Sequence, residues 1–178
     1  GKSKLAAAIS LLYPEAQIVI TVTSVDVANR LFQELNRYLP NVGQVGGGRK
    51  VLGHRVNVFT SDSLHHCDAD CDILIVDEVH TMATPSRAAE LVRFSQSRNF
   101  GLSATVTGRG DNADIELEAF FGPVIFEVPY QEAQQNNVVA PIEVIWHEVA
   151  MDLNPCLGLH DVPKKRHGIW RNHYRNQI

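Results

Sequence analysis

The segment Ile73-Leu74-Ile75-Val76 runs without interruption into Asp77-Glu78-Val79-His80. Four consecutive apolar residues, three of them β-branched, read as a strand buried on both faces. Such strands belong to parallel sheets, whose crossover helices cover both sides, so this run points to an α/β chain. Ligands bind such sheets at the carboxyl ends of the strands. Asp77 and Glu78 are therefore expected at the mouth of a crevice. Two adjacent carboxylates there suit two tasks, holding a divalent cation and handling a proton.

The flanking chain alternates in the same sense. Residues 2–12 are rich in helix formers and Pro14 follows. Ile18 to Thr23 reads as a second buried strand. Ser24 caps a helix with Asp26 in its first turn, and Ala28, Leu31, Phe32, Leu35 and Leu39 give it one buried face before Pro40 ends it. Gly43 to Gly48 holds four glycines and leads to Arg49 and Lys50, which suit either a phosphate contact or a turn. Val56 to Thr60 alternates as a short strand, and His65 to Asp72 is a polar loop. Thr84-Pro85 starts a helix expected to run to about Arg98. Gly101 to Thr105 is a short strand with its exit, Asp111 caps a helix that stops at Gly122-Pro123, and Val124 to Val128 is the next strand. The pattern changes after Val128. Gln131 to Asn137 is polar, Ile142 to Trp146 reads as a strand, and the rest is weakly periodic. Residues 1–128 are thus expected to form the domain proper and 129–178 an exit segment.

With 178 residues, 44% hydrophobic and 20% charged, the chain can bury a substantial core. No apolar run approaches the length of a membrane span, and the start lacks a signal-peptide pattern. The net charge of −4 argues against nucleic-acid binding by bulk charge alone but leaves room for a local basic groove. Cys67, Cys71 and Cys156 form no disulfide framework, which fits a reducing compartment.

Gly1-Lys2-Ser3 ahead of a helix matches the second half of the phosphate-binding loop G-x-x-x-x-G-K-[ST]. A helix N-terminus offers unpaired N–H groups and a positive dipole end. Lys2 adds a point charge for terminal phosphates, and the Ser3 hydroxyl suits Mg²⁺. Gly1 falls inside the motif, so the chain is expected to be a fragment lacking the loop's first glycine and the strand before it. A Lys-Ser at a helix start and an acidic pair ending a strand about seventy-five residues later are the two halves of an Mg-nucleotide site.

Asp77-Glu78-Val79-His80 resembles motif II of the superfamily two, DEAD/DEAH-box-like helicases, in a DEVH variant. Ser103-Ala104-Thr105 resembles their motif III. Thr21-Val22-Thr23-Ser24 stands at motif Ia, without the arginine many relatives carry there. Gly46-Gly47-Gly48 resembles the glycine element that follows, and Val58 to Leu64 resembles motif Ib. The order matches from Gly1 to about Val128 and is most similar to phage-type and repair-type DNA helicases.

The resemblance implies an α/β, RecA-like P-loop NTPase fold with three αβα layers and a mainly parallel sheet. It implies ATP and Mg²⁺ as ligands. Gly1 and Lys2 would hold phosphates, Ser3 and Asp77 would hold Mg²⁺, and Glu78 would orient and deprotonate the attacking water. His80, Ser103 and Thr105 would couple nucleotide state to domain closure. Thr23, Ser24, Thr60 and Ser61 would contact nucleic-acid phosphates, DNA being favoured over RNA. The implied parent is a cytoplasmic helicase or translocase of a prokaryotic or phage-infected cell, with a second RecA-like domain carrying an arginine finger. The fragment alone is then expected to be nearly inactive, since such a finger contributes about 10³–10⁵ in rate. The alternatives are a restriction-type translocase subunit, another P-loop remodelling ATPase, or a DNA-docking fragment without catalysis.

Other residues read more plainly. His65, His66, Cys67 and Cys71 could ligate zinc but lack a second ligand pair, and a polar loop is favoured. Cys156 and His160 carry less signal still. Lys164, Lys165, Arg166, Arg171 and Arg175, interleaved with Trp170 and Tyr174, are read as an amphipathic helix rather than a stacking surface. Arg109 and Asp111 receive no catalytic role.

Overall fold

The computed structural model describes residues 1–104, 113–145 and 160–161. Its sheet contains β1 (Ile18–Val22), β2 (Gly43–Gly46), β3 (Arg49–Val51), β4 (Val56–Thr60), β5 (Ile73–Asp77) and β6 (Arg98–Leu102), in spatial order β3-β2-β4-β1-β5-β6. Every pairing is parallel except β2 with β3. The helices are α1 (Lys2–Leu12), α2 (Val25–Leu35), α3 (Pro85–Val92), α4 (Ala113–Phe121) and α5 (Tyr130–Gln135). Two compact units result, Gly1–Phe126 and Glu127–Ile178.

Alternate residues of a strand face opposite ways, and here both faces are covered. On one face Ile18, Ile20, Val22, Val58 and Ile75 pack with Ala6, Ala7 and Ile9 of α1 and Ala28, Leu31 and Leu35 of α2. On the other, Val19, Phe59, Leu74 and Val76 pack with Leu91, Phe94 and Leu117. The continuous apolar runs of β1 and β5 follow from these two layers. Each fully buried side chain of this type contributes about 1.5–3 kcal/mol. Ser24 caps α2 by accepting the Val27 N–H at 3.3 Å, and Asp26 lies in the first turn. Register brings the strand exits to one edge: Val22 lies beside Thr60, Thr21 beside Val76, and Asp77 beside Leu102.

Several expected boundaries move. The helix from Thr84-Pro85 does not reach Arg98 but ends at Val92. Turns follow, with Phe94 N–H donating to Leu91 O at 2.9 Å and Ser97 N–H to Phe94 O at 3.1 Å. Sheet pairing then claims Arg98, whose N–H donates to Asp72 O at 2.9 Å. The strand expected at Gly101 to Thr105 accordingly begins earlier, at Arg98. The helix begun at Ser24 stops at Leu35, where the Asn36 side chain donates to Phe32 O at 2.8 Å. The glycine stretch Gly43 to Gly48 supplies β2 and the turn of an antiparallel hairpin with β3, on the sheet edge.

Val124 to Val128 is not a strand. Ile125 and Phe126 are 84% and 78% exposed, so no neighbouring strand supplies a ladder. In the second unit, α5 is followed by a turn in which Val138 N–H donates to Ala133 O at 2.8 Å. The Tyr130 hydroxyl donates to Ala140 O and accepts from Ile142 N–H. The strand expected from Ile142 is absent over residues 142–145, whose Ile142, Val144 and Ile145 side chains stand exposed. Thr105, Arg109, Asp111, Trp146, Cys156, Lys164, Lys165, Arg166, Trp170, Arg171, Tyr174 and Arg175 lie outside the described residues. Among the described residues, no helix is long and apolar enough to cross a membrane.

Candidate nucleotide site and nucleic-acid edge

Two chain segments far apart in sequence meet at the carboxyl edge of the sheet. The first is the start of α1. Gly1 occupies the cap position without a side-chain acceptor, and its carbonyl takes the N–H groups of Lys4 and Leu5 at 3.1 and 3.2 Å. The N–H groups ahead of Lys4 have no partner within the helix. The second is the exit of β5, with Asp77 as its last residue and Glu78 immediately after. The Lys2 ammonium donates to Glu78 Oε1 and lies 3.3 Å from Asp77 Oδ1.

The electrostatics of this cluster favour a charged lysine. Burial pulls the Lys2 ammonium down, but its hydrogen bond to Glu78 and the charges of Asp77 and Glu78 outweigh burial and hold it above the ordinary value of 10.5. The lysine is therefore charged at neutral pH, and the contribution of its raised pKa is lost as pH rises beyond that value. Lys2 side-chain exposure is 36%, so solvent screens the pair and its worth to stability is small.

Asp77 Oδ1 is buried without a hydrogen bond, its distance to Lys2 satisfying an ion pair but not donor geometry. A buried carboxylate oxygen with an ion pair but no aligned donor keeps capacity to accept a ligand once that cation moves. Asp77 and Ser3 line one small cavity with Lys2 and the apolar side chains of Ala6, Ile75 and Leu102. A carboxylate and a hydroxyl are the hard oxygen donors that Mg²⁺ takes, usually with waters completing the shell. The donor set fits the cation.

His80 extends the cluster. Its Nδ1 lies 2.8 Å from Ser103 Oγ and 3.4 Å from Glu78 Oε2, so one imidazole nitrogen stands between the exit of β6 and the Glu78 carboxylate. Lys2, Asp77, Glu78, His80 and Ser103 are thus gathered at one place, while Thr105 is outside the described residues. Glu78 itself has φ 51° and ψ 50°. A left-handed backbone in a non-glycine residue costs roughly 1–2 kcal/mol. The Glu78 carbonyl offsets it by accepting both the N–H and the hydroxyl of Thr81 at 2.9 Å.

The four hydroxyl residues expected to meet nucleic acid sit on the same edge but differ in access. Ser24 is exposed and Thr23 half-buried. Thr60 is 5% exposed and donates to Ser63 Oγ at 2.9 Å. Ser61 Oγ is buried and unpaired among the described residues. Over this edge folds the glycine turn of the hairpin. A Cβ on Gly46, at φ +133°, would stand 2.5 Å from Thr60 Oγ1, and one on Gly47, at φ +60°, 2.5 Å from Val25 Cγ1. Glycine is required there by both conformation and close approach, and the run of glycines was its only trace in sequence.

Residues 65–71, expected as a polar loop, begin in the 3-10 turn Ser61–His66 and continue without regular structure. Among the described residues no group of three or more His, Cys, Asp or Glu side chains converges on a metal-sized site. Cys67 Sγ donates to Asp68 O at 3.1 Å, and Cys71 Sγ lies 3.3 Å from Ser97 Oγ. Burial foremost, then the neighbouring Cys71 charge, pushes the Cys67 thiol from 9.0 up to about 11, Arg93 pulling the other way. The fold thus favours the neutral thiol, and that contribution is present below about pH 9 and fades between there and pH 11. Alkylation at Cys67, read by peptide mapping, is expected to be slow in native protein at pH 8, fast in denaturant, and to accelerate toward pH 11. Equal native and denatured rates at pH 8 would contradict the buried placement.

No family model matches the chain, and no curated protein matches it. Among solved structures, it is similar to the crystal structure of a hypothetical ATP-dependent RNA helicase from Sulfolobus tokodaii, with TM-score 0.54 and 20% sequence identity. The likeness covers 68% of this chain and 42% of that one, so the chain matches less than half of the helicase's length. The chain has the expected α/β, RecA-like fold of three αβα layers with a mainly parallel sheet.

Proposed function

We propose that this chain is the ATP-binding motor domain of a nucleic-acid helicase or translocase. The observation that carries the reading is the Lys2 ammonium, at the N-terminus of α1, held against both Asp77 and Glu78 at the exit of β5. ATP phosphates would lie on the N–H groups of Gly1, Lys2 and Ser3, and Lys2 would exchange its carboxylate partners for the β- and γ-phosphates. Ser3 and Asp77 would hold Mg²⁺, which when bound neutralises phosphate charge. Glu78, freed of Lys2, would orient the attacking water and accept its proton as the γ-phosphoryl group transfers. His80, with Ser103 and Thr105, would report the nucleotide state to a second RecA-like domain. Ser24 and Thr23 would meet strand phosphates through side chains. Thr60 and Ser61 would do so through the turn that follows β4.

Residues 1–128 would be the ATP-binding part and 129–178 the route to the second domain. DNA is favoured over RNA as the track because the motif order is most similar to phage-type and repair-type DNA helicases. Mg-ATP hydrolysis by the full-length protein, measured with and without single-stranded DNA, tests this. Turnover is expected to rise at least tenfold on adding DNA, in keeping with the usual 5–150-fold scale of coupling between two ligands. Stimulation by RNA alone would reassign the track, and no stimulation by either would favour a protein-remodelling ATPase.

A further inference from the structure

Helix α3 and the residue that ends it carry two arginines with no role in the site so far. Both reach the 3-10 turn Ser61–His66, which follows β4 at the nucleic-acid edge. Arg93 donates to Cys67 O at 2.6 Å and to Leu64 O at 3.5 Å, fixing the end of that turn. Arg87 divides its fork. Its Nη1 donates to Thr81 O at 3.1 Å, and its Nη2 lies 3.8 Å from Asp62 Oδ1. Thr81 in turn makes the two hydrogen bonds that hold the left-handed Glu78.

A continuous series of polar contacts therefore runs from Asp62, one residue after Ser61, through Arg87 and Thr81 to Glu78. Its two ends differ in character. Asp62 is 88% exposed, on the turn proposed to meet the strand, whereas Glu78 holds a backbone conformation that persists only while its surroundings support it. A planar guanidinium suits the joint because one arm of its fork hydrogen-bonds the Thr81 carbonyl while the other faces the Asp62 charge.

We propose that Arg87 is a positioning residue that transmits nucleic-acid occupancy at the Ser61–His66 turn to the orientation of Glu78. The inference rests on the proposed motor function, in which Glu78 is the base and this turn meets the strand. A bound strand steadies the turn, Arg87 then fixes the Thr81 carbonyl, and Thr81 fixes Glu78 for water activation. Without Arg87 the strand still binds, but its presence no longer speeds hydrolysis.

The test is ATP turnover by full-length Arg87→Ala, Arg87→Lys and Asp62→Ala proteins, with and without saturating single-stranded DNA, alongside DNA affinity and melting temperature. Arg87→Ala is expected to keep its basal rate within about twofold and to lose about tenfold of the DNA stimulation, with DNA affinity little changed. Arg87→Lys, which keeps charge and a donor, is expected to restore part of the stimulation. Asp62→Ala, at a side chain too exposed to unfold the protein, is expected to lose a smaller share and reads the link even if Arg87→Ala is unstable. Full stimulation in both alanine variants, or basal and stimulated rates falling in equal proportion, would overturn the link while leaving the motor function standing. A wild-type protein that no nucleic acid stimulates would overturn both.

Discussion

Glu78→Gln in the full-length protein is expected to lower ATP turnover by about 10²–10⁴-fold, the usual share of a positioned general base, while ATP still binds. The substitution keeps size and shape but removes the proton acceptor. It also removes the anion that pairs with the Lys2 ammonium, so phosphate faces less competition for that lysine. Steady-state phosphate release and equilibrium ATP binding, measured together, separate the two effects. Turnover equal to wild type would remove Glu78 from the chemistry. Loss of ATP binding with loss of turnover would instead make the Lys2–Glu78 pair a structural support of the phosphate site.

Phe94→Ala is expected to cost about 3–5 kcal/mol of stability, the range for deleting a buried aromatic ring. Phe94 is 0% exposed and packs in the second core cluster with Leu64, Leu74 and Leu91. Its backbone carbonyl accepts from the Ser97 N–H, in the turn that turns the chain back into β6. The loss is a large part of the roughly 5–15 kcal/mol that holds a domain folded. Urea unfolding should show a lower midpoint with an unchanged slope. A shift worth under about 1 kcal/mol would mean that the layer beneath α3 is not packed as described.

The α/β class was legible because β1 and β5 are buried on both faces, and only long apolar runs satisfy that condition. Lys2, Asp77 and Glu78 stand out in sequence by residue type at a helix start and a strand end, and the fold brings the three side chains together. The end of α3 was not legible. Residues 93–97 continue a plausible helical pattern, and only the demand of β5 for a parallel neighbour at Arg98 breaks it. The segment at Val124–Val128 failed in the opposite way. Its apolar residues have strand propensity, but a strand exists only where another backbone offers a ladder. The hairpin of β2 and β3 was hidden because its signal, a cluster of glycines, states what backbone is permitted and not what it packs against.

Arg87 shows the same division within the site. Nothing in its local sequence distinguishes it from a solvated helix arginine, and its significance arises from lying within reach of Thr81 and Asp62 at once. Hydrophobic periodicity, capping residues and the acidic strand end are local properties, so the chain alone established the class of fold and singled out the residues proposed to bind phosphate and a cation. Contacts between residues far apart are set by how the layers close. Packing alone therefore brought Lys2 to Glu78, stood His80 between Glu78 and Ser103, buried the Thr60 and Ser61 hydroxyls, and placed Arg87 between Asp62 and Thr81.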